Sequence, residues 1–592
     1  MATPKRSAPQ DAPVVVRVPH TRKLTIIAKD PGITLPDGSM LFARIEIPAE
    51  ELARGPTGYR VKVVDYDATA ARYYRPLKHY QTAAGLVDPF EALAGDVGGI
   101  DAAAQAALLA DPNFHAQNAY AIVMRILARF EFALGRRVEW GFNGHQLHVA
   151  PHAFFDANAF YSNEDSGLMF GYWKAPTGQM VFTSLSHDIV AHEATHALLD
   201  GLRDRFTEPS SPDQAAFHEA FADIVALLSV FALPEVVAAI LGAPARDKGD
   251  AGVIRSIAPE KLTLEALQRS ILAGIAAQLG AELNGLRGGA LRQSVLLEPD
   301  TGLLGSDEFA EPHRRGEVLV AAFMRTVLSL WVKRIAKLGT FAGGTYNLDM
   351  VIEEGAKVGD HLLTMAIRAV DYCPPTDIDF GAYLASFLTA DAELMPDDSR
   401  HGYRATLRDI FASYGIVTPG GGRCADDGSW LAFDAALPVN YARSHFESML
   451  RDKDEVFRFI WDNRRVLGID ARALIKVGAV RPSIRQSPDG FFVRETVCTY
   501  VQVAKIFGAE VKSVLGVDRP PELETTRSIT AFGGGTLIFD QYGRIKYHIA
   551  HPLNDAARQA HRLACLGEIE TAETAFERRN RFALLHAARF GG

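Results

Sequence analysis

The chain has 592 residues, 71 of them acidic and 62 basic, for a net charge of −9, with 48% apolar and 22% charged residues. That length implies three or four domains at ~150 residues each, and the composition excludes wholesale disorder, a collagen or a bare coiled coil. The mild acidity argues against nucleic acid held by charge, and the scattered Cys373, Cys424, Cys498 and Cys565 offer neither a zinc ribbon nor a disulfide framework, which fits a reducing compartment.

Residues 1–13 read as a disordered tail. Lys5 and Arg6 precede polar and proline residues rather than an apolar run of signal-peptide length, so a cytoplasmic location is expected, with non-classical export left open. Residues 14–90 form an N-terminal β-rich region, with short β-branched runs (VVVRV, KLTIIA, SMLFARIEI, RVKVV) and a turn at Pro36-Asp37-Gly38. Residues 91–110 are Ala/Gly-rich without a sharp period. Residues 117–134 carry helical apolar spacing that stops at Gly135, and residues 137–160 read as strands and turns.

Helices then dominate to about residue 415. The most apolar stretch, residues 224–240, is broken by Pro234 and Glu235 before it reaches the ~18–20 residues of a spanning helix, so two buried helices and no membrane partner are expected. Residues 418–427, with Pro419 before three glycines, mark the clearest boundary. Beyond them, residues 428–592 form an α/β domain with a hairpin expected around Asp540 to Gly543. Its basic residues read as a solvated face, and Gly533-Gly534-Gly535 lacks the Lys-Ser/Thr sequel of a phosphate loop.

The sharpest chemical signal is His192-Glu193-Ala194-Thr195-His196. Residues four apart lie on one helix face, so His192 and His196 can share one Zn²⁺, and Glu193 can act as general base on a metal-bound water. A second helix is announced by Ser211-Pro212-Asp213-Gln214, a capping box with proline at the first helical position. It carries Glu219, a third ligand, and one turn later Asp223, which can accept the free N–H of a bound histidine. Two carboxylates among Phe217, Phe221, Ile224 and Val225 are costly to bury unless paired or metal-bound.

HEATH followed by Glu219 in E-x-x-x-D resembles the gluzincin zinc metallopeptidases, and the thermolysin-like (M4) family is closest. Asn158-Ala159-Phe160-Tyr161 resembles that family's substrate-pairing edge strand, Ala290-Leu291-Arg292 its Leu-Arg-Ser segment, and Glu311-Pro312-His313 the stretch with its transition-state histidine. The likeness spans roughly residues 100–418. It implies an α+β, thermolysin-like two-lobe fold: an N-terminal lobe (91–202) with the HExxH helix, a helical lobe (203–418), and zinc between them. It further implies Asn158, Ala159 and Arg292 as substrate contacts, His313 as oxyanion donor, and Ile189 and Leu291 lining an apolar pocket. The expected activity is zinc-dependent endopeptidase cleavage of peptide or protein substrates.

This sequence also departs from the family's pattern. His218 stands where the family has Asn, and no tyrosine stands near Phe206 and Thr207, where the family's assisting tyrosine falls; Tyr161 or Tyr172 are the substitutes at hand. Asp188 matches one calcium-binding acid, but the apolar run after Asp223 replaces the others, so no clustered calcium site is expected. The alternative is a weak or inactive gluzincin-frame protein that binds peptides; the intact Glu193 argues against it.

Overall fold

The computed structural model describes residues 20–31, 40–82, 85–94, 102–142, 144–176, 178–207, 210–243, 253–278, 294–399, 401–486, 490, 492–521 and 523–569. The expected tail at 1–13, the VVVRV run and the Pro36-Asp37-Gly38 turn lie outside them.

The fold mixes helix and strand, as expected for α+β. Strands β1 (Thr21–Ile27) and β2 (Phe42–Pro48) form an antiparallel pair that packs on helix α1 (Pro112–Leu134). Helix α1 begins five residues before the apolar period does, because the Asp111 carboxylate caps the Asn113 N–H and Pro112 supplies a preset first-turn φ. It ends at Gly135, whose φ of 64° lets its N–H return to Glu131 and Phe132 carbonyls. Within residues 91–110, left without an assignment by the sequence, lie the short helices Glu91–Ala94 and Ala102–Ala110.

Strands β3 (Val61–Val63), β4 (Leu147–Phe155), β5 (Ala159–Ser162), β6 (Gly167–Lys174) and β7 (Met180–Phe182) form one sheet in the order β7-β6-β4-β3. Strand β5 pairs with β6 beside β7, with Tyr161 opposite Leu168. Its far edge faces helix α2 (His187–Leu202), which packs on helix α3 (Pro212–Phe231).

Helix α3 is the one described helix long and apolar enough to cross a membrane, yet 83% of that apolar window is buried. It is apolar nearly all round because α2 and helices α4 (Pro312–Ile335) and α5 (Leu348–Ala369) surround it. Gly316 of α4 lies against Ala216 and Ala220 of α3. Helices α6 (Phe380–Leu394) and α7 (Tyr403–Ser413) complete the helical layer.

The proline-glycine stretch after residue 417 leads directly to an anchor. The Trp430 backbone N–H donates to Thr389, and its indole N–H donates to the Tyr372 carbonyl and to Ser386. The C-terminal unit is an antiparallel sheet of β8 (Leu474–Gln486), β9 (Phe492–Phe507), β10 (Ser528–Phe539) and β11 (Ile545–His551) in sequence order. The expected hairpin joins β10 to β11, its turn closed by Gly543 N–H on the Asp540 carbonyl. Two small apolar clusters lie in this unit, whereas Ile538, Tyr547 and Ile549 join the main core.

A buried ionic junction ties this sheet to the helices. Asp371, fully buried, takes both nitrogens of Arg136 at 2.6 and 2.7 Å and also pairs with Arg485 of β8. Arg485 continues to Glu495 of β9 at 2.6 Å, and Glu495 accepts from the Tyr372 hydroxyl and Lys546. Burial alone would raise the Asp371 carboxyl, but Arg136 and Arg485 outweigh it and hold it far below the ordinary range. Asp371→Asn is therefore expected to cost about 3–5 kcal/mol in urea unfolding, because it strands the Arg136 guanidinium and leaves the buried Arg485 with Glu495 as its one acid. The sign of the pH effect comes from a depressed folded-state carboxyl. Its contribution is complete above the unfolded-state value of ~3.9 and is lost as pH falls below it. The variant should thus lose less stability than the parent between neutral pH and acid.

Candidate metal centre

Helix α2 has a short, well-seated start: Ser186 is extended, and the His187 N–H donates to the Lys29 carbonyl. Val190, Ala194, Ala197 and Leu198 are fully buried. This fixes the rotation of the helix and turns His192 and His196 toward α3. Helix α3 starts at the expected Ser211-Pro212, with Ser211 Oγ accepting the Gln214 N–H, which is the first half of the expected capping box. The Gln214 side chain also donates to the Arg205 carbonyl and accepts the Ile378 N–H, so it ties two loops to the helix start.

The two helices bring the expected residues together. His192 Nε2 stands 3.4 Å from Glu219 Oε2, and His196 Nε2 stands 3.3 Å from Glu219 Oε1. His192, His196 and Glu219 each offer one ligand atom within 4.8 Å of the others, and all three residues are buried. Among the described residues this is the one such group of His, Cys, Asp or Glu. The donor set, two imidazoles and a carboxylate, can hold a metal ion.

Each imidazole is oriented from behind. Asp223 Oδ1 lies 2.7 Å from His192 Nδ1, on the side of the ring away from the Nε2 that faces Glu219. His196 Nδ1 lies 2.8 Å from His218 Nδ1. With His196 ligating through Nε2, its proton sits on Nδ1 and is donated to His218, whose own proton is then on Nε2. Burial, opposed by Glu219, holds His196 well below the ordinary imidazole range, so it is neutral as a ligand must be.

The role of His218 escaped the sequence, where it counted only as a departure; its partner becomes visible only once α2 and α3 are packed. His218→Ala is expected to weaken metal binding by ~10–100-fold. His218→Asn, which keeps an acceptor, should recover most of that loss. Competition with a chromophoric chelator measures both.

Glu193 is fully buried, and its Oε2 accepts the Tyr161 backbone N–H at 3.1 Å. The general-base candidate is therefore held by the same strand edge proposed to receive substrate. On that edge, Asn158 and Ala159 are both buried. The Asn158 carbonyl accepts Gly171 N–H, and its side-chain oxygen accepts the Ala159 N–H at 2.8 Å. Ile189 is buried within the main core. Leu291 and Arg292 lie outside the described residues.

His313 occupies the first turn of α4, one turn before the Gly316 contact with the Glu219 helix. Its Nδ1 pairs with Glu311 at 2.6 Å, and its Nε2 is buried without a hydrogen-bond partner among the described residues. Burial would raise the Glu311 carboxyl, but hydrogen bonds from His313 and the Arg314 N–H outweigh it and push it down to about 2. Neither tyrosine considered as a substitute has a hydroxyl to spare. Tyr161 donates to Asp200 at 3.0 Å, and Tyr172 to Asp67. Burial lowers the Lys29 amine from its ordinary range, opposed by the nearby Asp188 carboxylate.

No protein-family model and no curated protein matches this chain.

Proposed function

We propose that this chain is a zinc-dependent metalloendopeptidase of the thermolysin-like gluzincin kind, with a β-containing and a helical lobe meeting at the metal and with peptides or proteins as substrates. One observation carries the reading: His192, His196 and Glu219 converge while Glu193, next to the first ligand, is held by the amide of a neighbouring strand edge. The donor set suits zinc, which takes two imidazoles and one carboxylate and leaves a position for water; His192 Nε2 lies 3.4 Å from Glu219 Oε2 and His196 Nε2 3.3 Å from Glu219 Oε1.

Zinc bound here would lower the pKa of a bound water toward ~7 and polarise a scissile carbonyl. Glu193 takes the proton of the attacking water and passes it to the leaving amine, with the Tyr161 N–H steadying its other oxygen. An extended peptide adds beside β5. His313, with Glu311 engaging Nδ1, offers Nε2 to the carbonyl oxygen as charge develops.

The commitment of the Tyr161 and Tyr172 hydroxyls to Asp200 and Asp67 favours a second reading, a peptide-binding relative with little turnover. An unbiased peptide-library digest separates the two. Cleavage that stops with chelator and returns with zinc supports the peptidase; peptide capture without cleavage supports the binder.

A further inference from the structure

The C-terminal sheet touches the metal helix at one chemically defined place. Helix α2 ends with unsatisfied carbonyls at Gly201 and Leu202, as every helix does. Both accept from one side chain of β8: Arg481 donates one nitrogen to Gly201 O at 2.8 Å and the other to Leu202 O at 3.1 Å, where Arg203 also donates at 3.1 Å. That helix end also lies close against backbone, since a methyl on Gly201 would collide with the Glu139 carbonyl oxygen. The end of α2 is thus held by close packing on Glu139 and by a guanidinium that also opposes the negative end of the helix dipole. The same strand treats α1 in a similar way, with Ser483 Oγ donating to Leu134 O at 2.6 Å and the Ile484 N–H donating to Gly135 O.

We propose that Arg481 is a positioning residue for the metal centre, and that the C-terminal sheet serves to set the axial position of the helix bearing His192, Glu193 and His196. This role rests on the reading of His192, His196 and Glu219 as a metal site. The lever is short: His196 lies about 7.5 Å along the axis from Gly201 at 1.5 Å per residue. A helix moves as a rod, and zinc ligands tolerate only about ±0.2 Å in bond length. A small axial slip at residues 201–202 therefore reaches the ligands nearly undiminished, whereas release of Leu134 acts on another helix.

The test compares zinc dissociation constants, by chelator competition in the full chain, for the parent, Arg481→Met, Arg481→Lys and Ser483→Ala, at a temperature where circular dichroism shows each fully folded. Arg481→Met is expected to raise the constant about tenfold, the lower end of the effect of losing an outer-shell partner. Arg481→Lys, still folded and still cationic, should fall between it and the parent. Ser483→Ala should lower the melting temperature without changing the constant. In the metal-free protein, amide exchange across His192–Leu202 should quicken in Arg481→Met only. Unchanged zinc affinity in Arg481→Met, or an equal loss in Ser483→Ala, overturns this role while leaving the metal site intact. A parent chain that takes up no zinc overturns the metal-site reading and this role with it.

Discussion

Glu193→Gln is expected to keep the fold and the bound metal and to lower kcat by ~10²–10⁴-fold, the usual worth of a positioned base. Glutamine has the same shape, and its amide oxygen can still accept the Tyr161 N–H that Glu193 now accepts. The ligand atoms belong to His192, His196 and Glu219, so metal content should be untouched. What is lost is the ability to take and return a proton. Elemental analysis and peptide kinetics on one preparation read both halves of this expectation. Undiminished turnover in a metal-replete sample would remove Glu193 from the reaction.

His192→Ala and Glu219→Ala are expected to reduce zinc from stoichiometric to background, each by deleting one of three protein ligands. Glu219 faces both imidazoles, so its loss also leaves two buried histidines without the acid between them. Asp223→Ala should be milder. The His192 ring would lose its partner at 2.7 Å but remain in place, and zinc affinity should fall ~10–100-fold rather than vanish. The graded order, ligand before outer partner, separates a metal site from a cluster of buried polar groups that merely share hydrogen bonds. Equal zinc content in parent and Glu219→Ala would refute the ligand assignment.

Local features were legible in proportion to how local their physics is. The spacing of His192 and His196 and the Ser211-Pro212 start placed two helices whose facing sides meet as expected. Glu219 and Asp223 are one turn apart, so both could be expected to face the histidines, and Glu219 lies beside both imidazoles while Asp223 lies behind His192. The turn of the last hairpin announced itself through Asp540 and Gly543. Features built from distant residues left no trace. Nothing periodic links Arg485 to Asp371, Trp430 to Tyr372 or Arg481 to Gly201. The proline-glycine stretch after residue 417 reads as a boundary alone, because Trp430, which anchors the C-terminal unit, pairs with helices far back in the chain. His218 stood in view but without a partner, since its partner belongs to another helix.

The C-terminal sheet bears on the metal helix as well as on the core. Its first strand meets the ends of α1 and α2, and its buried Arg485 completes a junction with Asp371. The metal helix therefore sits between a strand edge that holds Glu193 and a second sheet that holds its C-terminus.

X-ray absorption at the zinc edge of the zinc-loaded full chain reports most directly on whether two imidazoles and one carboxylate grip a single ion. The expected spectrum has a nitrogen and oxygen shell at ~2.0–2.1 Å with the outer-shell pattern of two imidazoles, and both features fade in His192→Ala. A sulfur shell near ~2.3 Å, or a spectrum that ignores the loss of His192, would contradict the site.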